Sequence, residues 1–283
     1  MKKSKILATL VGLGTTAALG SLLVLAPAAG CSQPQLDCRA ARGDFAVKFV
    51  QLSGTCTSLS SGFVGLQSSY PRDPSSCDVN DPNATDCKQD YDKVQLAIQS
   101  EVLGYMLWNA NDYSDPSAGI DYHDNDHKPY GMGEFQDIQP DGDDLCYVPA
   151  LSSARQDMGE IVDPADPSVI IQPAQDITTD FSNVKLLVTT ATPGTIFSAD
   201  LAYSETIDGT SCTATYKVMG VWPPVYCEGV DANGDPAPDD SLCKLTPETS
   251  APGAVLLNKD YFDYVVCDPD IFYCVPSSLP PGL

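Results

Sequence analysis

The chain has 283 residues, 38 of them acidic against 15 basic, for a formal net charge of −23 at pH 7. A surface of that sign repels phosphate backbones and anionic head groups, which excludes nucleic-acid binding and unassisted docking on an acidic membrane. Hydrophobic residues make up 43%, too many for a disordered chain, while 23 prolines and 21 glycines argue for frequent turns and against long helices.

The N-terminus reads as an export segment. Lys2, Lys3 and Lys5 precede an apolar run from Ile6 to about Leu25, and the small residues Pro27-Ala28-Ala29-Gly30 then lead to Cys31. Gly12, Gly14, Thr15, Thr16 and Gly20 dilute the run, which favours a cleaved signal over a stable membrane span. A plain signal peptide or an uncleaved anchor would export the remainder equally well, because the lysines hold the N-terminus on the cytoplasmic side. Ala28-Ala29-Gly30-Cys31 resembles the lipobox of bacterial lipoproteins. That resemblance implies removal of residues 1–30, a lipid on the Cys31 sulfur, and acylation, by a chain such as palmitate, of the new N-terminus. Ser32, where inner-membrane lipoproteins of enteric bacteria carry aspartate, implies the outer membrane.

Without the three lysines, 12 basic residues face 38 acidic ones, a net charge of −26. A covalent lipid would therefore supply the membrane attachment that the charge opposes.

Residues 31–37 form a short tether, and an N-terminal β-rich half follows over 38–158. Phe45–Leu52 is a strand with Phe45, Val47 and Phe49 on one face, and Phe63–Tyr70 a second. Lys93–Asn109 fits either a strand, through Val94, Leu96 and Ile98, or a helix. Gly104 and the surrounding β context favour two strand segments. Asn111–Asp144 is a long acidic loop region. Residues 159–180, rich in proline, read as a connection.

A C-terminal β meander follows over 181–276. Val184–Val188 is a strand, and Ile196–Ser204 places Phe197, Ala199, Leu201 and Tyr203 on one face. Asp208-Gly209 makes a hairpin turn, and Cys212–Val221 returns with Cys212, Ala214, Tyr216 and Val218 aligned. Tyr261–Cys274 adds at least one strand, and 277–283 is a proline-rich tail. The pattern predicts an all-β fold: an antiparallel, disulfide-stapled sandwich or barrel with long acidic loops.

Eleven cysteines are an odd set. Setting Cys31 aside leaves Cys38, Cys56, Cys77, Cys87, Cys146, Cys212, Cys227, Cys243, Cys267 and Cys274, which can close as five disulfides in an oxidising compartment. Short loops favour Cys38–Cys56, Cys77–Cys87, Cys227–Cys243 and Cys267–Cys274, leaving Cys146 for Cys212. Spacing alone does not fix the connectivity.

The sharpest chemical cluster is Asp121-Tyr122-His123-Asp124-Asn125-Asp126-His127, which holds both histidines of the chain. His123, Asp124, Asp126 and His127 could ligate a divalent metal, but the Asp/Asn content and Pro129 favour a solvated loop. Asp231-Ala232-Asn233-Gly234-Asp235 and Asp141-Gly142-Asp143-Asp144 each carry part of a calcium loop and lack its closing glutamate, so turns are the better reading. Arg42-Gly43-Asp44 and the sequon Asn83-Ala84-Thr85 are chance patterns in a bacterial export context. Trp108, Trp222 and Tyr226 could form a carbohydrate-stacking platform or pack in a core.

There is no nucleophile elbow, no phosphate-cradling glycine loop and no Cys–His pair, so no enzyme is indicated and no cofactor beyond weak divalent cation binding. The expected role is a lipid-anchored envelope protein that binds or builds, its contact with the membrane made through Cys31 and its protein or glycan ligand left open. The alternatives are a metal-dependent hydrolase centred on His123 and His127, and a cation-loaded surface adhesion protein. The layout as a whole is similar to envelope lipoproteins of gliding, predatory soil bacteria such as myxobacteria, a resemblance that implies no particular activity.

Overall fold

The computed structural model describes residues 36–78, 86–112, 127–163 and 165–283. The signal segment, Cys31 and most of the tether lie outside these residues, as do His123, Asp124, Asp126 and the sequon at Asn83. Residues Leu36–Leu283 form one compact unit.

Nine strands make one antiparallel sheet. In chain order these are β1 (Gly43–Gly54), β2 (Ser61–Ser69), β3 (Gln95–Ser100), β4 (Gly131–Glu134), β5 (Leu145–Ala150), β6 (Ala154–Met158), β9 (Gln175–Val188), β10 (Pro193–Ile207) and β11 (Thr210–Val221). Between β6 and β9 the short strands β7 (Ile161–Val162) and β8 (Ile170–Gln172) pair with each other. The spatial order is β4-β3-β2-β1-β11-β10-β9-β5, with β6 also on β9. Strands from both ends of the chain thus share one sheet, joined where β1 pairs β11. The sheet curls without closing into a barrel. Its two ends approach through single backbone bonds, Gln136 N–H to the Tyr147 carbonyl and Ser152 N–H to the Met132 carbonyl, both 2.8 Å.

The alternation read from the sequence sets the inner face. Phe45, Val47 and Phe49 of β1, Val64 and Leu66 of β2, and Phe197, Ala199, Leu201 and Tyr203 of β10 belong to one buried cluster. Asp208 and Gly209 both take positive φ, 49° and 75°, in the two-residue turn between β10 and β11, as the primed hairpin turns require. Gly220 serves packing instead: a Cβ there would lie 2.1 Å from the Phe197 ring.

Three segments differ from the expectation. Gly131–Glu134, inside the stretch read as a long acidic loop, is strand β4 and pairs with β3. Glu101–Asp112 is a helix, α1, and not a second strand. Leu103 and Met106, three apart, are buried on the sheet while Tyr105 and Trp108 face out, so helical spacing accounts for the burial. The proline-rich 159–180 stretch, read as a connection, contains β7, β8 and the start of β9.

After β11 the chain leaves through the cis Trp222–Pro223 peptide and folds back over the outer face of the sheet. This C-terminal cap, residues 224–283, holds only short ladders: β12 (Glu228–Val230) with β13 (Pro236–Pro238), and β14 (Val265–Cys267) with β15 (Cys274–Pro276). Val225, Leu257, Tyr261 and Val265 bury themselves against Ile196 and Val221 in a second cluster. β10 and β11 are consequently buried on both faces at that end.

All ten described cysteines pair, as Cys38–Cys146, Cys56–Cys212, Cys77–Cys87, Cys227–Cys267 and Cys243–Cys274. Cys77–Cys87 is the short-loop pair; the other four differ from the short-loop expectation. The sheet explains one of them directly. Gly54 lies opposite Ala214 in the β1–β11 register, so two residues further out Cys56 meets Cys212, with Cα atoms 5.1 Å apart.

Candidate functional site

A cavity of about 580 Å³ lies at one end of the curled sheet. α1 lies on one side of it, the β8 segment on another, and strands β1, β9 and β10, the start of β2 with the connection before it, and the end of β3 supply the rest. Phe49, Ile177, Leu201, Val102 and Met106 give it an apolar wall. Each comes from a position that alternation or helical spacing turns inward, so the same pattern that makes the core makes this wall.

Polar side chains interrupt it. Ser100, the last residue of β3, and Thr179 of β9 are buried, and neither hydroxyl has a hydrogen-bond partner among the described residues. Tyr203 donates its hydroxyl to Glu205 at 2.7 Å, and Ser58 donates to the same carboxylate oxygen at 3.1 Å. Burial first, and then the neighbouring carboxylate, holds the Tyr203 phenol above its usual range, so it stays a neutral donor. Glu101, at the start of α1, accepts the Phe63 amide at 2.9 Å.

A second, shallower groove of about 390 Å³ lies on the outer side, between α1 and β2, lined by Phe63, Gln99, Tyr105 and Trp108. Trp108 and Tyr105 stand edge to face with centroids 6.3 Å apart. Tyr226 packs on Tyr273, which in turn packs on Phe63. Trp222 is partly buried against the main core, beside Gly43. The three aromatic residues singled out in the sequence therefore have separate settings and do not form one platform.

The metal candidates are placed as follows. His127 lies 3.8 Å from an Asp157 oxygen through Nε2, and its backbone carbonyl accepts the Gln156 side-chain amide. Among the described residues, no cluster of three potential ligands includes it. Two sulfur-rich clusters do occur, Cys227/Cys243/Cys274 and Cys56/Glu205/Cys212, but every sulfur in them is tied into a disulfide and is no thiolate ligand. In the two partial calcium loops the carboxylates cap their own turns. Asp231 accepts Asn233 N–H at 2.7 Å and Asp235 N–H at 3.0 Å, and Asp141 accepts Asp143 and Leu145 N–H, both at 2.9 Å. The Asp235 amide bond heads the causes that hold the Asp231 carboxyl below its ordinary value. Arg42-Gly43-Asp44 runs into β1, where Gly43 and Asp44 pair with Leu66 and Gly65.

The cavity was not visible in the sequence. Ser100 and Thr179 are ordinary strand residues there, and only the pairing of β2 with β3 and of β9 with β10 brings them to one end of the sheet.

Among the described residues no helix is long and apolar enough to cross a membrane. No solved structure matches the chain. A curated relative, "Putative lipoprotein MlpA" of Myxococcus xanthus, is 30% identical over 110 residues, which is 37% of this chain and 38% of the relative. The chain thus aligns with well under half of that protein's length. The MlpA family model matches residues 43–223, from the first residue of β1 to just past the end of β11, so that it takes in the whole nine-stranded sheet and the cavity's walls. The chain belongs to the MlpA family.

Proposed function

We propose that this protein is an exported lipoprotein, held in the bacterial outer membrane by acyl chains on Cys31, and that its sheet domain serves as a non-catalytic binding module. One observation carries the anchor. Of 11 cysteines, the ten in the folded unit are consumed by five disulfides, which leaves Cys31 as the one thiol outside them and implies an oxidising compartment. The lipoprotein name borne by the Myxococcus xanthus relative supports the same reading. The binding role rests on the cavity: it is concave and mostly apolar, with a few inward polar groups.

Mass spectrometry of the protein isolated from its native membrane tests the anchor. The expected N-terminal peptide begins at Cys31 and carries a thioether-linked diacylglycerol. A peptide that retains Met1, or an unmodified Cys31 thiol, would overturn it.

A further inference from the structure

We infer that the cavity beside α1 takes an uncharged, largely apolar molecule that carries a hydroxyl or ester group. This rests on the reading of the sheet domain as a binding module and specifies its ligand. At about 580 Å³ the cavity has the size of a small-molecule site. Its walls are Phe49, Ile177, Leu201 and Met106, which offer no hydrogen bonds and favour an aliphatic body.

The Ser100 and Thr179 hydroxyls, on β3 and β9, are two separate wall positions at which that group can bond. Both residues are more than nine-tenths buried, line the cavity, and have no hydroxyl partner among the described residues. Native proteins rarely leave such groups unpaired, and a ligand hydroxyl or carbonyl would complete them. The two carboxylates of the wall are already engaged. Glu205 accepts from Tyr203 and Ser58, and Glu101 from the Phe63 amide.

Charge decides against a fatty acid. The charged residues among the described lining are Glu101 and Glu205, with no lysine or arginine. A ligand carboxylate would enter an apolar site beside two like charges and find no cation.

The test is photolabelling of the full-length protein in its native membranes with a diazirine-bearing hexadecanol, followed by peptide mapping. Label is expected on peptides containing Ile177–Thr179, Leu201–Tyr203 and Val102–Met106. Excess hexadecanol should compete, and hexadecanoate should compete about tenfold less well. The isosteric Thr179→Val variant removes one hydroxyl and none of the wall. It should fold, with melting no lower than that of the parent, and should weaken competition by hexadecanol by about tenfold while leaving competition by hexadecane unchanged. Label confined to surface peptides, equal competition by acid and alcohol, or a Thr179→Val variant indistinguishable from the parent would each overturn the inference. The Cys31 peptide in the same digest reports the anchor separately. Cavity label on unlipidated protein would sink the anchor and keep the ligand, and lipidated protein without cavity label would do the reverse.

Discussion

The nine-stranded sheet and the C-terminal cap are held together by different means. In the sheet, long ladders bring apolar residues from β1, β2, β3, β9, β10 and β11 into one cluster, and its disulfides join segments already adjacent through pairing. In the cap, residues 224–283 have two three-residue ladders and two short 3₁₀ turns, so regular structure supplies little. Two disulfides, Cys227–Cys267 and Cys243–Cys274, cross within it, and one buried carboxylate, Asp268, fastens it to the sheet. The family match ends at residue 223, at the boundary between the two. The comparison teaches that an oxidising compartment lets a segment too small for a core of its own be shaped by crosslinks and by a borrowed hydrophobic face.

The most damaging single change should fall in the sheet. Phe197 is fully buried, stands edge-on to Phe45 at 5.4 Å, and fills the space that Gly220 leaves. Phe197→Ala should cost about 3–5 kcal/mol in urea unfolding. Because the neighbouring Ile196 belongs to the cap's cluster, the cap should be lost in the same transition. A cost below about 1 kcal/mol would mean that packing at this point is not what holds the sheet.

Removing a crosslink should act on the cap alone. Cys243→Ala with Cys274→Ala opens a loop with a sequence separation of 31. The chain-entropy estimate for such a loop is roughly 3–4 kcal/mol. Amide hydrogen exchange should accelerate across 225–276 and stay unchanged in β9, β10 and β11. Equal acceleration in those strands would show that cap and sheet are one cooperative unit, and the contrast drawn here would fall.

Legibility in the sequence followed the same division. The β9–β10–β11 meander was readable because period-two alternation and the Asp208-Gly209 turn are local signals. α1 was misread because Val94, Leu96 and Ile98 do alternate, and a strand running directly into a helix leaves no break between the two periods. Four of the five disulfides were missed for a non-local reason. Cys38 and Cys146 are 108 residues apart, and Cys56 and Cys212 are 156 apart, so only the folded chain brings each pair together. The cavity failed to show for the same cause. By contrast, the most conspicuous pattern, the His123–His127 cluster, lies outside the described residues but for His127.

The smallest of these effects, and the most telling in sign, concerns Asp268. Its side chain is 2% exposed; Lys48 of β1 reaches it at 2.8 Å, Ser61 of β2 at 2.6 Å, and the Asp270 amide at 3.0 Å. Burial alone would raise its pKa, but the Lys48 and Ser61 bonds, with the Asp270 amide, outweigh burial and hold it below the usual carboxylate value. A lowered folded pKa means that the stabilisation is complete above the unfolded value of about 3.9 and is lost as pH falls through the folded one. Protection of cap amides should therefore be flat from neutral pH to about 4 and then decline. Lys48→Met leaves the carboxylate with two neutral partners against the full effect of burial. The loss at neutral pH should be about 2 kcal/mol, below the range for fully buried pairs because Lys48 is one-third exposed. The slope should also reverse: with the folded pKa raised above the unfolded one, the variant's cap weakens as pH rises from about 4 toward 7. Exchange rates measured across that window discriminate cleanly. A variant that keeps the parent's slope would mean that Ser61 and the Asp270 amide suffice to hold the charge, and that the cap is fastened by its disulfides without help from the ion pair.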